Sequence, residues 1–354
     1  MLSIKPEHKQ LYISILVIVF LYGAFHLLLY LLGFNFITNT DTGWYYKIVN
    51  EPLSFDPAIQ PLYPLLVRLF IELSANLIGD YLIMNLVNLT FLIGFVIILN
   101  KIFEKLYNEF TALDIVFVFS LPFFSWFMTF MPRANSLLYF IEFSIIYLLL
   151  KNKRDFIFYF LVSLLPLVHK SSAFFILALV LYEILNKSFN IKKYILASIP
   201  FVVYLLLGSF LMHDDLLWWF VAYQDSSGGF NLPVFNGVAD NFYFGLAERR
   251  LIDLAQVGLI TVIYLLYFYF LIRGIRKKNY EAILFYLPGL LILPLLPKSE
   301  INAFVNYSFF GFFGLYVDVR KMNIIPRKTI KYLTFILVVT IQLGYCFYSY
   351  TVLK

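Results

Sequence analysis

The chain has 354 residues, 62% of them hydrophobic and 14% charged, with a mean hydropathy of +0.83. That is more apolar surface than a water-soluble domain can bury, so the composition excludes a soluble enzyme and makes lipid the solvent. The net charge of +6 is no sign of a nucleic-acid partner, because Lys and Arg sit in short clusters between apolar runs.

In chain order, apolar runs predict spans at 12–33, 81–100, 113–131, 135–150, 156–168, 172–186, 194–212, 252–272, 281–297, 302–317 and 330–352. The expected fold class is all-α, a polytopic transmembrane helical bundle of these eleven spans, forming a single integral membrane domain over 1–354. No small-residue cleavage site follows the first run, which reads as a retained signal-anchor helix. Cys346 is the one cysteine, which excludes an intramolecular disulfide and a thiolate cluster, and it is expected to pack in the last helix. Four scattered histidines support no dedicated metal site, and a divalent metal is the one cofactor left open.

The charges orient the spans. With the N-terminus inside, nineteen of the 27 basic residues fall on the cytoplasmic side: Lys5, Lys9, Lys101, Lys105, Lys151, Lys153, Arg154, Lys187, Lys192, Lys193, Arg273, Arg276, Lys277, Lys278, Arg320, Lys321, Arg327, Lys328 and Lys331. Lys47, Arg68, Arg133, Lys170, Arg249, Arg250, Lys298 and Lys354 stay outside. The expected location is the cell membrane, multi-pass, with the chemistry on the outer face.

Two outer segments, 35–80 and 213–250, exceed what a turn needs, and long loops on a helical scaffold tend to carry function. The first holds Asp41, Trp44, Tyr45, Glu51 and Asp56, then Pro61, Leu62, Tyr63, Pro64, Leu65 and Leu66. Its stretch 62–77 is apolar at helical spacing but carries Arg68 and Glu72. It predicts an interfacial helix, since a further span here would invert every later loop. As alternatives, Asp41 reads as a helix N-cap or turn residue, and Tyr63 with its two prolines as a rigid bend. The second segment holds His213, Asp214, Asp215, Trp218, Trp219, Tyr223, Asp225, Asp240, Asn241, Glu248, Arg249 and Arg250. Acids beside aromatics suit a sugar pocket, whereas Trp218, Trp219 and Tyr223 equally suit the aromatic belt at the headgroups.

Four more ionisable groups lie at the outer edge or deeper. Arg133 and Lys170, with His169, could clamp a phosphate, Arg bidentately; the alternative is snorkelling to water. Glu142, two turns below Arg133, reads as a structural partner of Arg133 or of a tyrosine. His26 in the first helix reads as a hydrogen-bonded core residue.

At Asp41, Trp44 and Tyr45, followed by Pro61 to Leu66, the sequence resembles the GT-C superfamily of polytopic glycosyltransferases, especially the lipid-phosphate-mannose-dependent enzymes of the GPI type. The resemblance covers residues 12–78, and more loosely the spans to 186. It implies a transferase that moves a sugar, mannose in the GPI-type enzymes, from a polyprenyl-phosphate-linked donor to a glycan or lipid acceptor on the extracytoplasmic face. The acidic residue of its first outer loop falls on Asp41. The segment from Arg133 to Ser172 also resembles EpsG-type (Wzy-like) polysaccharide polymerases. Both resemblances imply sugar transfer between lipid-linked partners, with no nucleic acid. Asp41 is then the general base, and Trp44, Tyr45, Tyr63, Arg133, His169, Lys170 and Arg249 contact substrate. A multi-pass transporter or lipid flippase is the reading from another class, kept open by Pro166 and the prolines from Pro288 to Pro297.

Overall fold

The structure is a computed structural model describing residues 6–31, 33, 42–51, 55, 60–74, 77–107, 110–120, 130–214, 218, 251–292 and 309–322, with isolated positions from 326 to 340. Side chains at 6–8, 44, 120 and 251–257 are outside that description. Every described element is helical: α1 (Pro6–Leu31), α2 (Thr42–Asn50), α3 (Leu62–Leu73), α4 (Asp80–Leu106), α5 (Ala112–Ser120), α6 (Asn135–Leu150), α7 (Phe156–Val168), α8 (Ser172–Leu185), α9 (Ile191–Gly208, continued by a π turn Ser209–His213), α10 (Leu251–Arg276), α11 (Glu281–Ile292) and α12 (Phe309–Lys321). Four stretches are long and apolar enough to cross a membrane: Lys9–Leu31, Asp80–Leu106, Ile191–His213 and Gly258–Arg276. The helices α6, α7, α8 and α11 are apolar but shorter.

The segment predicted to lie at the interface is α3. Its 12 residues cover about 18 Å, well short of a bilayer core of roughly 30 Å. Pro61 stands at its N-cap and Pro64 in its first turn, where a missing N–H costs no helical bond. Tyr63, Pro64, Val67 and Ile71 are buried, while Arg68 and Glu72 pair one turn apart on the outer side.

The described residues gather into two compact units. The first comprises residues up to Lys170, then Lys192–Ala222 and the stretch from Pro326. In it α4 lies against α1, α3, α5 and α6, and α6 and α7 form a hairpin. The turn of that hairpin is locally encoded. Asn152 takes a positive φ of 54°, Asn152 N donates to Leu149 O at 2.9 Å and Lys153 N to Leu148 O at 2.9 Å, and Asp155 then caps α7 by accepting from Phe158 N at 3.3 Å. Gly94 leaves room for the Phe140 ring on the α4 backbone. Along α9 the aliphatic side chains stay outside, with Phe210 85% exposed, a surface that lipid tolerates and water does not.

The predicted cytoplasmic clusters meet at one end of this unit. The Lys101 and Lys151 ammonium groups lie 5.9 and 4.7 Å from the same Tyr147 ring. Lys193 Nζ donates to Arg154 O at 3.4 Å and sits 5.0 Å from the Tyr159 ring. Gln10 Oε1 accepts from Ala112 N at 3.1 Å, tying the start of α1 to the start of α5.

The second unit comprises Ser171–Ile191 and Tyr223–Ile325. Its centre is α11, nearly all buried, with α8, α10 and α12 around it. Gly311 and Gly314, three residues apart, let α12 approach Tyr267 of α10 and Phe285 and Tyr286 of α11 at backbone distance, the small-residue packing common between membrane helices. At the basic end Arg273 Nη1 donates to Met322 Sδ at 2.8 Å, and Tyr286 donates to Asp318 Oδ2 at 2.6 Å.

Two outcomes follow. A methyl group on Gly311 would overlap the fully buried Tyr267 ring, so Gly311→Ala should cost about 1–3 kcal/mol, read as a lower melting temperature of the purified protein; an unchanged melt would refute this packing. With Cys346 replaced by Ser, a cysteine at Asn152 should react with a membrane-impermeant maleimide only from the cytoplasmic side, and labelling of intact cells would reverse the orientation.

Candidate functional site

The end of the first unit opposite the lysines holds the candidate site. Because α6 and α7 form a hairpin, the residues before α6 and those after α7 share an end, and this brings Arg133 to His169 and Lys170 across 36 residues of chain. The 62–77 segment and α2 join them through packing of α3 on α2, α4 and α7.

Arg133 is 5% exposed and Lys170 6%, so neither reaches out to water and the snorkelling alternative is corrected. Arg133 Nε donates to Asn135 Oδ1 at 3.1 Å. His169 ends α7 in extended geometry, with its N–H donating to Leu165 O at 3.2 Å. Burial first, and then the positive charges of Arg133 and Lys170, hold its imidazole down to about 3 from an ordinary 6.5. At neutral pH His169 is therefore an uncharged donor or acceptor, and the positive charge of the cluster comes from Arg133 and Lys170. One turn into α6, Tyr139 lies within electrostatic reach of both Arg133 and Glu142, in keeping with a tyrosine as the neighbour of that carboxyl group.

Below this cluster runs a polar seam that the sequence reading did not single out. Tyr22 donates to Asn85 Oδ1 at 2.9 Å and also engages Asn88; Ser136 Oγ donates to Asn88 Oδ1 at 2.5 Å. The visible signal was asparagine inside apolar runs, at Asn85 and Asn88 in α4, since such residues at membrane depth are retained only with partners. His26 Nε2 lies 2.9 Å from Phe130 O, the hydrogen-bonded core role expected of it.

Among the remaining predicted residues, Tyr45 of α2 and Tyr63 of α3 meet edge to face at 5.6 Å. Tyr63 is fully buried, its hydroxyl donating to Met84 O at 3.4 Å. Trp44 lies in α2, its side chain outside the described residues. Asp41, immediately before α2, lies outside the described residues, as do Arg249, Asp56, Asp215, Trp219 and Tyr223. Trp218 is a correction to the aromatic-belt alternative. It is 2% exposed, stacked on His213 at 4.5 Å and edge-on to Tyr204 and Phe55, with its Nε1 donating to Leu205 O at 3.0 Å. His213 Nε2 lies 2.8 Å from Phe55 O, so the first outer segment and the start of the second are pinned together. Gly208 makes this contact feasible, since a Cβ there would overlap the Trp218 indole.

Comparison with protein-family models, with curated proteins and with solved structures returns no match.

The depressed His169 makes a pH prediction. Between pH 6.5 and about 3 the unfolded chain binds a proton there that the fold refuses, so stability is complete above pH 6.5 and falls on acidification, by at most about 1.4 kcal/mol per pH unit. His169→Gln should flatten melting temperature against pH between 7 and 4.5. A variant that melts with the parent's full pH slope would assign the titration elsewhere.

Proposed function

We propose that this chain is a multi-pass membrane glycosyltransferase that moves a sugar from a polyprenyl-phosphate-linked donor to a glycan or lipid acceptor at the extracytoplasmic face. The observation that carries the reading is the pair of buried cations, Arg133 and Lys170, held with His169 at the end of the first unit opposite the Lys101, Lys151 and Lys193 end. Two cations gathered at one helical end make a site suited to an anion, and a carrier phosphate is one that a membrane brings to that depth. Eleven spans with the N-terminus inside put that end at the outer leaflet.

The chemistry asks little more. The bond from the anomeric carbon to the phosphate oxygen breaks, the bond to the acceptor oxygen forms, and the phosphate leaves with the electron pair. Arg133 and Lys170 stabilise the charge that grows on the leaving oxygen. Neutral His169 donates one hydrogen bond without adding charge. The acceptor hydroxyl loses its proton to a carboxylate, for which Asp41 is the candidate; it immediately precedes α2, whose Tyr45 meets Tyr63. Trp44, Tyr45, Tyr63 and Arg249 are the further substrate contacts in this reading. The polymerase variant of the same reaction is favoured by one observation: the segment 133–172 that resembles those enzymes is the one whose two ends meet.

The test replaces Asp41 with Asn and follows labelled sugar from a polyprenyl-phosphate donor in membranes. Loss of transfer by about a hundredfold or more is expected for a removed general base. Transfer at the parent's rate would remove Asp41, and liposomes that move the donor without consuming it would replace the transferase by a flippase.

A further inference from the structure

The basic end of the first unit holds more order than orientation requires. The positive-inside rule asks only that cations lie in the short loops. It does not ask Lys101 of α4 and the Lys151 that follows α6 to converge on one Tyr147 ring, nor Lys193 of α9 to reach the Tyr159 ring of α7 and Arg154 O in the α6–α7 turn. Lys105, Lys153 and Lys192 lie on the same three stretches, 101–105, 151–155 and 191–193, where seven basic side chains stand against two acids, Glu104 and Asp155. Of the two acids, Asp155 is engaged with Phe158 N as the cap of α7. Six of the seven cations are exposed and Arg154 is half-buried. A ring or a carbonyl fixes an ammonium group without cancelling its charge, so the cluster is held in place and its positive field persists.

Apolar side chains stand exposed on the same first turns. Phe156 is 81% exposed and stacks with Phe160, one turn on, at 6.0 Å; Ile157 is exposed beside them. On α9, Ile191 and Ile195 bracket Lys192 and Lys193 and are exposed as well. The two helices meet through Tyr159 and Tyr194, edge to face at 5.6 Å, which sets these turns side by side. Cations with an apolar wall directly next to them match a ligand that is itself amphipathic and anionic. A soluble phosphate would use the cations and leave the wall empty.

We infer that the α6–α7 turn and the start of α9 bind a glycerophospholipid of net negative charge, its phosphate on Arg154 and Lys193 and its acyl chains against Phe156 and Phe160. Lys101 and Lys151 extend the same positive field and draw such a lipid in from the bilayer. The site lies at the end opposite Arg133 and Lys170 and does not depend on sugar transfer. With the N-terminus inside, the lipid belongs to the cytoplasmic leaflet, whose surface carries the anionic headgroups.

The purified full chain tests this in nanodiscs of phosphatidylcholine with and without phosphatidylglycerol, the lipids that stay bound being counted by native mass spectrometry. The parent should retain phosphatidylglycerol in preference to phosphatidylcholine. A cation at such a headgroup is worth roughly fivefold in binding, so Arg154→Gln with Lys193→Gln should weaken phosphatidylglycerol binding about tenfold or more. Phe156→Ala with Phe160→Ala should weaken it several-fold with every charge in place. Arg276→Gln with Lys277→Gln removes the same charge from the second unit and should leave retention unchanged. Where a double variant does not fold, its two single variants take its place, each with about half the effect on a logarithmic scale. A parent that holds the two lipids equally, or an equal loss in the Arg276 and Lys277 variant, would overturn the site. So would phenylalanine variants that bind as the parent does, or displacement of phosphatidylglycerol by soluble glycerol 3-phosphate, since the ligand would then be a free anion.

Discussion

The described part of the first unit is organised around the withdrawal of two positive charges from water. Burying an ion costs several kcal/mol even after relaxation unless partners offset it, and Arg133 and Lys170 are both enclosed at the end that α6 and α7 share. Burial first, and then the charges of these two cations, keep the His169 imidazole neutral below its usual range. The surrounding structure follows from the need to hold that end rigid. The α6–α7 hairpin is closed by a positive-φ Asn152 and an Asp155 cap at its far end, so the two turns that carry the cations are fixed by a short, self-contained connection.

Much of the architecture could be read in the sequence because hydropathy and charge report directly on the solvent. The amphipathic α3 was recognisable from Arg68 and Glu72 one turn apart on an otherwise apolar helix, and its two prolines marked where it starts. The clustering of Lys101, Lys151 and Lys193 at one end needed only the alternation of short loops. The site was partly legible for the same reason, since Arg133 and Lys170 are charges in an apolar context. Their burial was not legible. Whether a cation at a helix end snorkels or is enclosed depends on neighbours such as α3 and α4 that no local pattern specifies.

What stayed hidden in the sequence are contacts made by residues of ordinary type. Asn135 opens the predicted span 135–150, and nothing in its spacing announces that its side chain accepts from Arg133 Nε. Trp218 reads as an interfacial ring because tryptophan settles there by composition, yet a glycine ten residues earlier, Gly208, opens a slot for it against α9. Pattern methods see spacing within a helix; they do not see a slot that a side chain from another stretch enters from outside.

The contact of His213 and Trp218 with Phe55 joins parts of the first unit that are far apart in sequence. His213, at the end of a π turn, donates from Nε2 to Phe55 O, and Trp218 closes over both. A π turn widens the helix and leaves one backbone carbonyl unmatched per bulge, so such turns persist where a side chain must be aimed. Here the aimed side chain is His213, and what it holds is Phe55. Phe55 is held there from two sides, its carbonyl by His213 and its ring by Tyr204 of α9 and Trp218, so a residue far off in sequence is fixed against the end of a long apolar helix.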